Sequence, residues 1–216
     1  MSFAGAIFDL DGTLLDSMGI WDRIPGLLLQ EFGLQPPADL PARLAQLDLP
    51  GSVAYLIDTF RLPCTPEELA RRTDRLADRE YRDNVPLKPG AARLLKVLAQ
   101  KGVPLCVATA SQEHQARLAL ERLGQWKTFA FALSSTQYGP KTKPDIYLAA
   151  ARRLGTLPGQ TLVVEDALHA ARTAKQAGFL VAGVYDPSAA RDADALRAVC
   201  DWYLPRLDDE AFLARL

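Results

Sequence analysis

Short apolar segments bounded by turn residues recur along the chain and are typical of buried strands. The five segments are residues 4–8, 104–108, 129–133, 161–164 and 180–184. Stretches with apolar residues at helical spacing alternate with them, over residues 91–100, 112–123, 145–154, 167–177 and 189–199. Because strands that alternate with helices form parallel sheets, the pattern predicts an α/β fold with a Rossmann-like parallel sheet flanked by helices.

Residues 17–85 interrupt this alternation, since they contain helical patterns and nothing typical of a strand. The predicted helices span residues 18–32, 40–47, 53–60 and 67–82. Thr65 precedes Pro66 and lies three residues before Glu68, which indicates a helix N-terminus. A strand-to-helix connection usually takes about 2 to 6 residues. We therefore expect an α-helical cap subdomain over 17–85, with 1–16 and 86–216 forming the α/β core.

The composition is that of a globular protein, with 49% hydrophobic and 24% charged residues in a chain of 216. The 25 Lys and Arg residues nearly balance the 26 Asp and Glu residues, for a formal net charge of -1. This balance argues against nucleic acid and membrane surfaces as partners. Neither a secretory signal nor a membrane span of about 20 apolar residues is recognisable, so we expect a cytoplasmic protein.

Cysteine and histidine usage gives no support for zinc chemistry. Cys64, Cys106 and Cys200 are far apart and odd in number, which indicates buried or incidental thiols in a reducing compartment. The only histidines are His114 and His169, and we interpret both as surface or structural residues. This set cannot assemble a familiar structural zinc site.

Two acids, Asp9 and Asp11, end the first predicted strand and are followed by Gly12. Asp is depleted in strands, and neighbouring carboxylates repel each other unless something compensates their charge. Taken alone, Asp-x-Asp-Gly is also typical of a solvated turn. The polar residues after later strands favour a functional interpretation.

Residues that can carry chemistry follow three later strands in the same way. They are Thr109, Lys141 and the adjacent pair Glu165 and Asp166. Because the carboxyl ends of parallel strands face one crevice, we expect these side chains to meet Asp9 and Asp11 there. Four carboxylates around one ammonium require a further cation, and an all-oxygen ligand set suits a hard ion such as Mg²⁺.

A carboxylate nucleophile, a hard dication, a lysine and a hydroxyl together suit phosphoryl transfer, in which catalysis rests on positioning and charge neutralisation. Asp9 is the candidate nucleophile that forms an aspartyl-phosphate and so divides one displacement into two steps. Asp11 is the candidate acid that protonates the leaving oxygen and then activates the hydrolytic water. The residues therefore predict a magnesium-dependent phosphatase.

These motifs, in this order, resemble the haloacid dehalogenase (HAD) superfamily, specifically its β-phosphoglucomutase-like phosphatases with a helical cap after the first strand. The matching segments are FDLDGTLLDS at 8–17, Thr109, KTKPDIY at 141–147 and Glu165-Asp166. The resemblance implies that Asp9 is the nucleophile and a magnesium ligand. It further implies that Asp11 is the acid/base and binds the metal through its carbonyl, and that Glu165 and Asp166 complete the metal site.

The resemblance also assigns the phosphate-binding groups. It implies that the Thr109 hydroxyl and the Ala110 backbone amide hold the phosphoryl group, and that Lys141 is the lysine of the third motif. Lys143 is the alternative, and we prefer Lys141 because it precedes Pro144 by three residues, as the motif requires. The expected substrate is a small phosphorylated metabolite similar to a sugar phosphate.

Other activities in the superfamily are weaker fits. Asp11 argues against a dehalogenase, which forms no alkoxide that needs a proton. β-Phosphoglucomutases carry a cap histidine as acid/base, whereas this chain has Trp21 twelve residues after Asp9. A hydrolase is therefore preferred over the alternatives, a phosphosugar mutase or a non-enzymatic binding scaffold.

The candidate substrate contacts in the helical segment are Trp21, Arg23 and Tyr55, although aromatic residues such as Trp21 and Tyr55 more often belong to a helical core. We expect a monomer or a small homo-oligomer.

Overall fold

The computed structural model describes residues 3–44, 47 and 49–216, with only the backbone at positions 49 and 50. Six strands form one sheet in the order β3-β2-β1-β4-β5-β6, and every neighbouring pair is parallel. The strands are β1 Gly5–Phe8, β2 Leu105–Thr109, β3 Phe131–Ser134, β4 Thr161–Glu165, β5 Leu180–Val184 and β6 Trp202–Leu204. The predicted α/β fold class, a Rossmann-like sheet flanked by helices, is confirmed.

Strands β1 to β4 are buried along their whole length because helices cover the sheet. Strand β1 lies in the middle, where Phe8 is in register with Val107 of β2 and Val164 of β4. A strand in this position carries the residue after it, Asp9, to the centre of the sheet's carboxyl edge. Polar groups that follow β1, β2 and β4 are thereby brought to neighbouring positions.

The helices in the described residues follow the predicted alternation closely. They are α1 Met18–Glu31, α2 Leu40–Leu44, α3 Leu49–Phe60, α4 Pro66–Asp83, α5 Ala91–Gln100, α6 Glu113–Arg122, α7 Ser135–Tyr138, α8 Asp145–Leu154, α9 Leu168–Gln176, α10 Ala193–Val199 and α11 Glu210–Leu213. Helices α5 and α8 have the predicted bounds. No helix in the described part of the chain combines the length and apolar character that a membrane-spanning segment requires.

The chain divides into two units. One consists of Met1–Asp16 with Val85–Leu216 and contains the sheet, and the other is Ser17–Asn84 and contains α1 to α4. Within the helical unit, α4 begins as the sequence predicts. The Thr65 side chain accepts a hydrogen bond from the Glu68 backbone N–H at 3.2 Å, and Pro66 occupies the first turn, where its missing N–H is not needed.

Several elements differ from the sequence-based expectations. Helix α3 begins four residues before the predicted bound, and the short helices α7 and α11 were not predicted. Strand β6 was not predicted, because its three residues form too short an apolar run; Trp202 and Tyr203 are half-buried and Leu204 is buried. The helix expected over 189–199 is shorter, since Pro187–Asp192 forms a 3₁₀ helix before α10. The helix expected over 40–47 is described over Leu40–Leu44 and does not include Leu47, which lies in a bend; positions 45 and 46 lie outside the described residues.

The cysteines are free thiols, as the sequence indicated. Cys106 is buried within β2, whereas Cys64 and Cys200 are half-buried. Burial raises the pKa of the Cys106 thiol well above its ordinary range and that of Cys200 to about 12. These thiols therefore stay protonated near neutral pH and are poor nucleophiles.

Candidate active site

Three buried carboxylates meet where β1 and β4 end side by side. Asp9 follows β1, and its backbone N–H donates to the Val164 carbonyl of β4 at 2.9 Å. Glu165 is the last residue of β4, and Asp166 follows it. Carboxylate oxygens of Asp9, Glu165 and Asp166 lie within 4.8 Å of one another, and the three residues are 7%, 1% and 5% exposed.

One ammonium lies among these carboxylates. The Lys141 side chain donates to Asp9 Oδ1 and also, at 2.6 Å, to Glu165 Oε1, and the residue is 7% exposed. Lys143, the alternative considered for the third motif, is exposed. The structure thus brings Lys141, and not Lys143, into contact with the carboxylates.

Two hydroxyl groups that the sequence pattern did not single out hold the acids in place. Tyr147 donates its hydroxyl hydrogen to Glu165 Oε1 at 2.7 Å, and Thr13 donates to Asp166 Oδ1 at 2.8 Å. Both residues are buried. Tyr147 lies on the apolar face of α8, so its spacing identifies it as core and reveals nothing of the contact made by its hydroxyl.

The Asp11 carboxylate stands apart from the group of three. It is half-buried, and its Oδ2 accepts a hydrogen bond from Ser111 Oγ at 2.6 Å. Ser111 is itself held in place, because its backbone N–H donates to Thr109 Oγ1 at 2.9 Å and its carbonyl accepts from Ser134 Oγ at 2.7 Å. Ala110, in the bend between Thr109 and Ser111, is exposed. The loop after β2 therefore positions a donor on Asp11.

Burial makes the ionised carboxylates unfavourable. Desolvation raises the pKa of Asp9 to about 6, although Lys141 opposes the shift, and it raises the pKa of Asp166 to about 8 with help from the charges of Asp9 and Glu165. Burial alone would lower the pKa of Lys141, but the two acids in contact with it outweigh that effect and raise it. The cluster holds more negative than positive charge in a poorly solvated position.

A cation fits this cluster on the chemistry of its donors. Carboxylate oxygens are hard ligands, and three of them within 4.8 Å repel one another unless protons or a positive ion offset their charge. Lys141 supplies one positive charge and already contacts two of the acids. An all-oxygen set with this charge is suited to Mg²⁺ rather than to a softer metal.

The remaining candidates from the sequence make no described contact with the carboxylate cluster, although partial burial and the nearby charge of Lys141 lower the pKa of His169. His114 and His169 are exposed. In the helical unit, the Arg23 guanidinium donates to Glu80 at 3.0 Å, and the Tyr55 hydroxyl accepts from Arg43 at 3.3 Å. Trp21 is half-buried and lines a mostly apolar cavity of about 350 Å³ in the same unit. The contacts described for these three residues thus lie within the helical unit itself.

A family model described as haloacid dehalogenase-like hydrolase matches residues 3–178. The chain belongs to this family. The match spans β1 to α9 and so includes Asp9, Lys141, Glu165 and Asp166. The resemblance inferred from the sequence motifs is confirmed.

Relatives of the chain within the HAD-like hydrolases include named phosphatases. The chain is 31% identical over 189 residues to a "Probable pseudouridine-5'-phosphatase" of Drosophila melanogaster, covering 84% of this chain and 81% of the relative. It is 28% identical over 192 residues to "Hexitol phosphatase B" of Escherichia coli K12, covering 87% of this chain and 86% of that protein. The family match and these names support the predicted enzyme class, a phosphoric monoester hydrolase.

The fold also agrees with solved HAD-like structures. A crystal structure from Thermotoga maritima, described as a "putative beta-phosphoglucomutase", superposes with a TM-score of 0.84 and covers 100% of both chains. The sequence identity is 23%, so this likeness concerns the fold and not the reaction.

Proposed function

We propose that the chain is a magnesium-dependent phosphatase that hydrolyses a small phosphomonoester, similar to a sugar phosphate, through an aspartyl-phosphate on Asp9. The observation that carries the proposal is the buried contact of Lys141 with Asp9 and Glu165 beside Asp166. The names of the relatives, a pseudouridine-5'-phosphatase and a hexitol phosphatase, support phosphorylated metabolites as substrates.

The residues that would hold Mg²⁺ are the carboxylates of Asp9, Glu165 and Asp166 together with the backbone carbonyl of Asp11. When bound, the ion supplies positive charge that offsets these acids and the incoming phosphate dianion. Glu165 Oε1 is occupied by Lys141 and Tyr147. Its other oxygen, Oε2, accepts a long hydrogen bond from the Ala167 backbone N–H at 3.4 Å and is the one better suited to a metal.

In the first step Asp9 attacks phosphorus. Its Oδ1 accepts a hydrogen bond from Lys141, so Oδ2 is the oxygen we assign as nucleophile. The bond from Asp9 to phosphorus forms as the bond from phosphorus to the ester oxygen breaks, and Asp11 gives its proton to that departing oxygen. Lys141, the Thr109 hydroxyl and the Ala110 amide hold the non-bridging phosphoryl oxygens.

In the second step Asp11 acts as a base. Now ionised, it removes a proton from a water molecule, which attacks phosphorus and releases inorganic phosphate while the Asp9 carboxylate is regenerated. The hydrogen bond from Ser111 orients Asp11 toward this task. Asp11 ends the cycle protonated, so the proton balance closes.

We further propose that residues 17–85 act as a cap that excludes water and contacts the substrate. We also propose that the protein works in the cytoplasm as a monomer or a small homo-oligomer. Trp21 stands twelve residues after Asp9, the sequence position at which β-phosphoglucomutases carry a histidine, and an indole cannot replace that acid/base, which is why hydrolysis is preferred over phosphosugar transfer.

The test is phosphate release from a panel of phosphomonoesters with and without Mg²⁺, for the wild type and Asp9→Asn. Asp194→Asn is a matched control, because the Asp194 side chain is 98% exposed. Magnesium-dependent release that is lost only in Asp9→Asn supports the proposal. Interconversion of sugar phosphate isomers without net phosphate release would instead support a mutase, and no reaction with any ester would support a binding scaffold.

A further inference from the structure

Lys88 binds the loop that carries Asp11. Its side-chain ammonium donates to three oxygens, the Gly12 carbonyl at 2.6 Å, the Tyr185 carbonyl at 2.7 Å and Asp186 Oδ2 at 2.7 Å. The side chain is 11% exposed and that of Asp186 is 2% exposed. A nearly buried lysine with three short hydrogen bonds is held in one position, and it is distinct from Lys141 in the carboxylate cluster.

The carbonyl that Lys88 binds belongs to the residue directly after Asp11. Gly12 has φ +80°, a left-handed conformation that favours glycine, and its N–H donates to the Leu15 carbonyl at 3.0 Å. The Lys88 backbone N–H also donates to the Leu14 carbonyl at 2.8 Å. Main chain and side chain of Lys88 thus both bind the segment that follows Asp11.

The carboxylate partner of Lys88, Asp186, is also fixed in position. Asp186 is buried after β5, and its Oδ1 accepts from the Ser188 backbone N–H at 2.9 Å and from Ser188 Oγ at 2.5 Å. The hydrogen bonds from Lys88 and Ser188 outweigh the effect of burial and hold the pKa of Asp186 below its ordinary value. Lys88 therefore connects a rigid carboxylate at the end of β5 to the loop after β1.

We propose that Lys88 is a positioning residue that sets the placement of Asp11 for proton transfer, an inference that rests on the proposed phosphatase function. Asp11 is held on its side chain by Ser111, and Lys88 fixes the peptide that follows Asp11. Displacement of a reacting group by about 1 Å can cost on the order of 100-fold in rate. Loss of Lys88 therefore weakens the reaction where Asp11 must give a proton.

Substrates with different leaving groups separate this role from a structural one. The p-nitrophenolate of p-nitrophenyl phosphate departs as a stable anion, whereas the alkoxide of glycerol 3-phosphate needs the proton of Asp11. The ratio kcat/KM reports the steps up to departure of the leaving group, so the later role of Asp11 in activating water does not enter it. A misplaced Asp11 lowers kcat/KM for the alkyl ester selectively, whereas a destabilised fold lowers kcat/KM for both esters alike.

The experiment compares kcat/KM for both esters in the wild type, Lys88→Met and Asp186→Asn, with the exposed Lys101→Met as control. We expect Lys88→Met to lose at least about tenfold more activity on glycerol 3-phosphate than on p-nitrophenyl phosphate. The single amide oxygen of Asp186→Asn can still accept from Lys88 when its NH2 group faces the Ser188 hydroxyl, so this variant should keep the wild-type ratio between the esters. Lys88→Met leaves the buried Asp186 carboxylate without its positive partner and can therefore prevent folding. In that case the double variant K88M/D186N is used in place of Lys88→Met.

Parallel losses on the two esters in a folded Lys88→Met or K88M/D186N protein would overturn this inference and leave the phosphatase proposal intact. A wild-type protein that hydrolyses neither these esters nor any other in the panel would overturn the proposed function, and this inference with it. The two failures are therefore distinguishable.

Discussion

Tyr147 and Lys141 donate hydrogen bonds to the same oxygen, Oε1 of Glu165, at 2.7 and 2.6 Å. A carboxylate that receives a neutral and a charged donor on one oxygen is fixed in orientation. Its second oxygen, Oε2, accepts a long hydrogen bond from the Ala167 backbone N–H at 3.4 Å and can take a further partner. Burial and the nearby Glu165 charge raise the pKa of Tyr147 well above its ordinary value. Tyr147 therefore remains a donor throughout the range in which the enzyme can be assayed.

Tyr147→Phe removes this donor without changing the packing of α8. We expect a loss of about 1.5 to 3 kcal/mol in the free energy of unfolding, since the bond is buried and its acceptor is charged. Urea denaturation measures the loss, with Tyr185→Phe as the exposed control. Equal stability of the two variants would show that the hydroxyl contributes nothing to holding Glu165.

Lys141→Met tests the ammonium within the cluster. It leaves Asp9 and Glu165 buried without their positive partner, so we expect a destabilisation of about 3 to 5 kcal/mol together with loss of turnover. Lys143→Met is the matched control two residues away, and because its side chain is exposed it should change stability by no more than about 0.5 kcal/mol. Urea denaturation and phosphate release measure both effects. If Lys143→Met proves the more harmful substitution, our assignment of the motif lysine is wrong.

The raised pKa values of Asp9 and Asp166 predict how the metal-free protein responds to pH. Between the ordinary value of 3.8 and the folded values of about 6 and 8, the folded state binds more protons than the unfolded state. The free energy of unfolding should therefore fall as pH rises through this window. Bound Mg²⁺ offsets the same charge, so the rise in Tm on adding Mg²⁺ should be larger at pH 8 than at pH 5.5.

Differential scanning calorimetry with and without Mg²⁺ at the two pH values checks this prediction. Ca²⁺-free and Mg²⁺-free buffer containing a chelator provides the metal-free reference. A Tm shift that is independent of pH would argue that the ion does not bind at Asp9 and Asp166.

The acids of the candidate site could be predicted from the sequence because each lies at the end of an apolar run that is typical of a strand. Asp9 comes after β1, and Glu165 with Asp166 comes at the end of β4. The parallel topology, itself predictable from the alternation of strands and helices, then requires these residues to share one edge of the sheet. The apolar runs of the strands and the parallel topology together explain why the positions of these acids could be predicted.

Other parts of the site could not be predicted because their contacts join residues far apart in the chain. The hydrogen bond from Thr13 to Asp166 spans 153 positions, and that from Lys88 to Asp186 spans 98. Periodicity describes only which face of an element is buried. Helical spacing puts Tyr147 on the apolar face of α8, but the partner of its hydroxyl emerges only when α8 packs on β1 and β2.

The most direct test of the account is the turnover of Asp9→Asn, assayed by phosphate release with Mg²⁺ beside the wild type and Asp194→Asn. The amide is nearly the same size as the carboxylate but is a poor nucleophile, so the fold should remain while turnover falls on the order of 10³-fold or more. Far-UV circular dichroism and a cooperative thermal melt establish that the variant is folded. Wild-type turnover in folded Asp9→Asn would contradict the central claim that Asp9 is the nucleophile.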